Sequence, residues 1–239
     1  IVHKIDTGVG SATTPSNLGQ LNAYVDDGSV NNTAVRVYGG DMLGNIWRFD
    51  VNDTHAPTGL EATLLGQARD SSNNPQPITT RPELAELNGK PLGFVSTGRM
   101  LGTTDITDTQ RQSMYGIVDP LTGSPVYSDL RGSLKPMVIS QTGTGLTATR
   151  TVACDPAASA ATCALTNGWV TDLPDTGERV NVDMKLALGT LVIASNVPPT
   201  SACDNGGYSW FNFVDFASGS AVLSSPGAVT GVRGDNGQT

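Results

Sequence analysis

The segment Val35-Arg36-Val37-Tyr38-Gly39-Gly40-Asp41-Met42-Leu43-Gly44-Asn45-Ile46-Trp47-Arg48-Phe49-Asp50-Val51 constrains the fold more than any other part of the chain. Val35, Val37, Ile46 and Phe49 are strand formers, while Asp41 to Asn45 carries turn chemistry, so two short strands meet at a tight turn. The theme recurs in other letters. Met114-Tyr115-Gly116-Ile117-Val118-Asp119 and Trp210-Phe211-Asn212-Phe213-Val214-Asp215 are aromatic-rich strands that again end on Asp. Each runs into a turn, Pro120-Leu121-Thr122-Gly123 in one case and Phe216-Ala217-Ser218-Gly219 in the other. Strands recurring with a fixed ending are the mark of repeated β-sheet units, of which propeller blades are the best match.

Turn signals divide the rest of the chain in the same manner. Strands are predicted over 34–40, 45–51, 60–66, 92–96, 113–119, 136–140, 146–152, 169–171, 179–182, 187–196 and 208–215, with a short one near 21–25. Residues 70–77 read as a surface loop. Residues 82–87 fit a helical turn stopped by Asn88-Gly89 or an extended loop. No stretch carries three turns of amphipathic helix. The reading is all-β, one propeller-like domain over residues 1–239, with mostly antiparallel, radially arranged sheets.

Composition agrees with a turn-rich β protein. There are 28 Gly and 14 Pro, and charged residues make up 15%, against roughly 25% in average soluble chains. A net charge of −8 repels phosphate backbones, which argues against nucleic-acid binding. No apolar run reaches the roughly 18 residues that span a bilayer, and no secretory signal is visible. The chain opens on Ile1 instead of Met, which reads as a processed protein or an excised fragment of a larger one. Cys154 and Cys163 bracket a loop of small residues with almost no core of its own. A disulfide across it makes physical sense and implies an oxidising compartment. The alternative is three buried free thiols, and an odd count leaves Cys203 without an assigned partner.

Several motifs, in order, resemble one family. Gly40-Asp41-Met42-Leu43-Gly44-Asn45-Ile46-Trp47-Arg48-Phe49-Asp50-Val51 resembles the signature G-D-x-x-G-N-[LI]-W-[RK]-F-D-[LV] of the type IV pilus tip adhesin and assembly proteins, the PilC/PilY family. Asp6-Thr7-Gly8-Val9-Gly10-Ser11, Ser96-Thr97-Gly98-Arg99-Met100-Leu101-Gly102 and the set Glu178-Arg179-Val180, Gly189-Thr190-Leu191-Val192 and Gly206-Gly207-Tyr208-Ser209-Trp210 resemble further family segments. The resemblance covers about residues 1 to 225. It implies a C-terminal β-propeller with modified, quinoprotein-like blades, carried on a large secreted protein at the pilus tip or outer surface. It also implies a non-enzymatic role in pilus assembly against retraction and in surface attachment. The partners implied are pilus subunits or minor pilins and a host or abiotic surface. At about 40–45 residues per blade the chain holds five or six blades.

The family also carries a calcium loop, which the resemblance places at residues 27–35. Asp27, Ser29, Asn31 and Thr33 fill its first, third, fifth and seventh positions. A hard cation taking 6 to 8 oxygens needs more carboxylates than this loop offers, because Val35 stands where the ninth-position carboxylate belongs. The expectation is a degenerate loop, empty at micromolar calcium, with no other cofactor. Arg233-Gly234-Asp235 spells the tripeptide that integrins recognise, in a tail that reads as flexible. His3 and His55 lie far apart with no zinc spacing around them and no Gly-x-Ser-x-Gly elbow. Asp105 and Asp108 read as caps or turn residues, and Trp47, Trp169 and Trp210 as packing between sheets. The competing functions are a quinoprotein-type dehydrogenase propeller and a carbohydrate-binding surface domain.

Overall fold

A computed structural model describes residues 4–52, 54–59, 61–201, 203 and 206–235. In chain order the strands are β1 (Leu18–Tyr24), β2 (Arg36–Asp41), β3 (Asn45–Asp50), β4 (Ala62–Gln67), β5 (Glu83–Leu87), β6 (Lys90–Ser96) and β7 (Ser113–Val118). They continue as β8 (Lys135–Thr142), β9 (Thr149–Cys154), β10 (Gly168–Asp172), β11 (Lys185–Ala187), β12 (Thr190–Val197), β13 (Tyr208–Asp215) and β14 (Gly231–Asp235). The α-helices described, α1 (Leu130–Ser133) and α2 (Ala160–Cys163), are single turns.

Strands β1 to β4 form one antiparallel meander in sequence order. The other ten form a single sheet ordered β11-β12-β13-β14-β9-β8-β10-β7-β6-β5. Two antiparallel four-strand units, β5-β6-β7-β10 and β11-β12-β13-β14, lie within it, and the β8–β9 hairpin bridges them. That bridge contains the parallel contact of β8 with β10, while the remaining pairings are antiparallel. The sheet curls until its two edges nearly meet. The Leu186 N–H donates to Glu83 Oε1 at 3.0 Å, and Lys185 Nζ lies 3.7 Å from the same oxygen. The described residues therefore hold three four-stranded units and a bridging hairpin, fewer than the five or six blades expected from chain length.

Alternation assigns the core. On β7, Met114 and Val118 face the inside of the curled sheet, while Tyr115 and Ile117 face the β1–β4 meander. The neighbours follow suit, with Phe94 and Trp169 inside and Val95 and Val170 against the meander. Strands β6, β7 and β10 are thus covered on both faces, which explains the uninterrupted burial along β7. The result is all-β and propeller-like, with sheets stacked face on face.

One turn is built twice. At Asp41, Oδ1 accepts the N–H groups of Leu43 (2.9 Å) and Asn45 (3.0 Å), and Oδ2 accepts Asn45 Nδ2 (2.9 Å) and Trp47 Nε1 (3.0 Å). At Asp70, Oδ1 accepts the N–H groups of Ser72 and Asn74, both at 2.9 Å, and Oδ2 accepts Asn74 Nδ2 at 3.1 Å and Gln110 Nε2 at 3.2 Å. The fourth residue of each turn is left-handed, Gly44 at φ 79° and Asn73 at φ 68°. Residues 70–77 are therefore no plain surface loop, because Asp70, Gln76 and Pro77 are buried. The shared letters are only the first Asp and the last Asn, which is why the repeat escapes a reading by eye.

Three further expectations change. Residues 83–87 are strand β5 and not a helical turn, because Asn88 and Gly89, both left-handed, form the two-residue hairpin turn instead of a helix stop. The single strand over 187–196 is two, with Leu188 and Gly189 at positive φ turning β11 into β12. Residues 179–182 make only an isolated bridge, Arg179 with Asn196.

Candidate functional site

The loop between β1 and β2 carries the four proposed calcium ligands. Asp27 Oδ1 accepts the Ser29 N–H (3.0 Å) and hydroxyl (2.5 Å), and Asn31 Oδ1 accepts the Thr33 N–H (3.0 Å) and hydroxyl (2.7 Å). The Ser29 hydroxyl and amide hold the Asp27 carboxyl below its ordinary pKa. Two Asx turns follow one another in the loop. The neighbouring carboxylate, Asp26, faces Arg36 at 3.7 Å and His55 at 3.8 Å. Asn52 repeats the device, accepting the Thr54 N–H at 3.0 Å. One carboxylate, Asp27, supplies too little charge for a tight site for a hard cation that takes 6 to 8 oxygens. Among the described residues, no group of three His, Cys, Asp or Glu side chains converges elsewhere.

The signature residues Arg48 and Asp50 instead build a buried charge cluster. Arg48 Nη1 donates to both oxygens of Asp119 at 2.9 and 3.1 Å, its Nε to Asp50 Oδ1 at 3.1 Å and its Nη2 to the Thr122 carbonyl at 3.0 Å. Burial works against the guanidinium charge, but Asp119 and Asp50 outweigh it and hold the pKa above its usual value. The Tyr38 hydroxyl donates to Asp119 Oδ2 at 2.8 Å, and burial, reinforced by Asp119, raises its pKa. Two of the recurring strand-ending aspartates therefore share one arginine. The cluster ties the β1–β4 meander to the end of β7.

A second cluster uses Glu178 and Trp210. Arg150 is fully buried, forms a two-pronged pair with Glu178 at 2.7 Å and lies 3.8 Å above the Trp210 ring. Asp175 accepts hydrogen bonds from Gln141 Nε2 (2.7 Å), the Tyr208 hydroxyl (3.0 Å) and Trp210 Nε1 (2.8 Å). Burial would raise its pKa, but these donors win and hold it low. Tyr208 is pushed up to about 12 by burial and by Asp175. The Arg179 guanidinium donates to the carbonyls of Gly177, Arg99, Asp105 and Asp108, and burial lowers its pKa. Asp105 sits in a 3-10 turn, where it accepts the Leu101 and Gly102 N–H groups and Arg99 Nε. The advance signals for these partners were the recurrent terminal Asp, the Glu178-Arg179 pair, the Gly206-to-Trp210 segment and Asp105, which reads as a cap or turn residue. Arg150, Asp175 and Arg36 carried none.

Arg233 and Gly234 lie in β14, opposite Trp210 and Ser209. The Arg233 guanidinium stacks 3.6 Å above the Tyr208 ring. The tripeptide is thus part of a paired strand, and the expected flexible tail is corrected there. The Asp235 backbone pairs with Tyr208. Cys154, at the end of β9, is bonded to Cys163 in α2, with Cα atoms 5.9 Å apart, and the Ser159 hydroxyl caps that helix at the Thr162 N–H. Cys203 is exposed. His3 lies outside the described residues.

No family model matches the chain. Two curated relatives from Xylella fastidiosa, each a type IV pilus biogenesis factor PilY1 homolog, are 30% identical over 196 residues and 28% identical over 247 residues. These matches cover 78% and 93% of this chain, which spans only 15% and 16% of the relatives' length. Among solved structures, the Pseudomonas aeruginosa PilY1 C-terminal domain superposes with a TM-score of 0.71 at 22% identity, over 94% of this chain and 57% of that one. The fold is shared over nearly every described element, and the ordered motifs run through the same span: the chain belongs to the family of PilY1 C-terminal domains.

Proposed function

We propose that the chain is a non-enzymatic module of a type IV pilus machine, acting in pilus biogenesis on the extracellular side. In this reading it supports assembly against retraction and contributes to attachment, with pilus subunits or minor pilins and a host or abiotic surface as partners. The observation that carries it is the match to PilY1 homologs across almost the whole chain. The chemistry agrees in kind. The family's signature arginine and aspartates are spent on holding sheets together, which leaves the outward loops and sheet edges to do the binding.

The test is genetic and is done in the full-length parent protein. Disrupting this domain with Arg48→Glu, which places a like charge between two buried carboxylates, should abolish surface pili. Pili should return when the retraction motor is also removed. Full piliation with the domain unfolded by this substitution would end the proposal.

A further inference from the structure

The β8–β10 join leaves an opening in the sheet. A cavity of about 380 Å³ lies there, within the 300–1,000 Å³ typical of ligand pockets. Four consecutive residues of β8, Pro136, Met137, Val138 and Ile139, line it. Successive side chains of a strand point to opposite faces, so a cavity on either face would touch alternate residues only. Consecutive lining places the cavity against the edge of β8, in the hydrogen-bonding plane of the sheet.

The sequence explains why the sheet parts there. The register of β10 against β8 runs from Trp169↔Lys135 to Thr171↔Met137 and stops. The next residue, Asp172, is followed by Leu173, whose N–H donates to the Gln112 carbonyl at 2.9 Å, and by Pro174, which has no N–H. Meanwhile β8 stays paired with β9 as far as Thr142. The Asp155 N–H donates to the Pro136 carbonyl, which sets the alternation: Val138 and Ser140 turn their backbone groups to β9, and Ile139 and Gln141 turn theirs away. Past Met137, the groups of Ile139 therefore face the cavity. Further along β8, Gln141 Nε2 donates to Asp175 Oδ1 at 2.7 Å. At its rim, Arg131 is paired with Asp172 at 2.5 Å. Arg111 instead donates to the Leu173 and Pro174 carbonyls and forms no ion pair among the described residues.

We propose that this opening is a docking site for an extended peptide segment, which pairs with the free edge of β8 at Ile139 and offers an acidic side chain to Arg111. Added strands gain affinity from main-chain hydrogen bonds and specificity from alternate side chains. The inference does not depend on the pilus reading.

Amide exchange followed by NMR on the ¹⁵N-labelled chain tests it. In the free protein, the Ile139 and Gln141 amides should exchange faster than those of Val138 and Ser140. The probe is a blocked Thr-Val-Glu-Val-Glu-Val-Thr peptide. It should slow Ile139 and Gln141 at least tenfold while leaving Val138 and Ser140 unchanged. A Lys-for-Glu peptide should bind at least tenfold more weakly, and Arg111→Glu should reverse that preference. A peptide N-methylated at alternate residues, used on the unmutated chain, should not bind. The proposal fails if Ile139 is already as protected as Val138, if protection maps to β1 or β11, or if the N-methylated peptide binds equally well.

Discussion

Arg48 shows what the family signature does physically. Its guanidinium is 1% exposed and Asp119 is equally hidden, so neither charge can be left alone without cost. Asp119→Ala should lower stability by about 3–5 kcal/mol, since the stranded cation loses its main partner in a dry site. Urea unfolding measures this, and a loss under about 1 kcal/mol would mean that water reaches the pair. Asp105 gives a pH signature. Burial opposes its charge, but the Leu101 and Gly102 amides and Arg99 prevail, holding its carboxyl below the ordinary range. A depressed native pKa adds stability that is present above the unfolded value of about 3.9 and is lost as pH falls through the native one. The destabilisation caused by Asp105→Asn should therefore be full at neutral pH and shrink toward zero as the medium is acidified through the native value. A pH-independent difference would assign the effect to lost turn geometry alone.

Among the elements, the repeated Asp turn allows a paired comparison. A Cβ at Gly44 would lie 2.7 Å from the carbonyls of Ala68 and Gln76, at φ 79°. Gly44→Ala should cost about 1–3 kcal/mol. In the sister turn Asn73 already tolerates the left-handed region, so Asn73→Gly should stay within about 1 kcal/mol of neutral. Equal losses at the two sites would mean that the turns are not equivalent. The small-residue loop closed by Cys154 and Cys163 should retain its bond under denaturing, non-reducing conditions. Thiol counting should then find one free thiol, that of Cys203, and three would remove the bridge.

Legibility in the sequence follows from where structure is decided. Strands β2, β3, β7 and β13 were readable because their own residues alternate or carry aromatics between turn signals. Strand β14 was not, since Val232-Arg233-Gly234 has little strand propensity and is held by β13 and β9. The hairpin turn at Leu188-Gly189 was hidden for a related reason: a non-Gly residue at φ 49° is imposed by its surroundings. Of the candidate site, Arg48 and Asp50 were readable from the signature and Asp119 from the recurrent strand ending. Arg150 meets Glu178 from 28 residues away and Asn212 from 62, and Asp175 meets Trp210 from 35, so no local pattern announces them.

At the scale of the whole molecule, packing and buried ion pairs join the sheets. Calcium should bind the 27–35 loop no better than the weak extracellular range of about 10⁻⁴–10⁻³ M. Calorimetry giving a Kd below about 10 μM, abolished by Asp27→Ala, would overturn that view. The seam between β5 and β11 has a different consequence. Elsewhere around the curl, neighbours are joined by ladders of backbone bonds, but here side chains span the gap: Glu83 reaches the Leu186 N–H and the Lys185 ammonium, and Asp183 reaches the Arg81 N–H and guanidinium. A seam made of rotatable side chains behaves as a clasp, not a weld. The circumference can widen or tighten at that point without any ladder shifting register, which gives the curled sheet a built-in place of mechanical give.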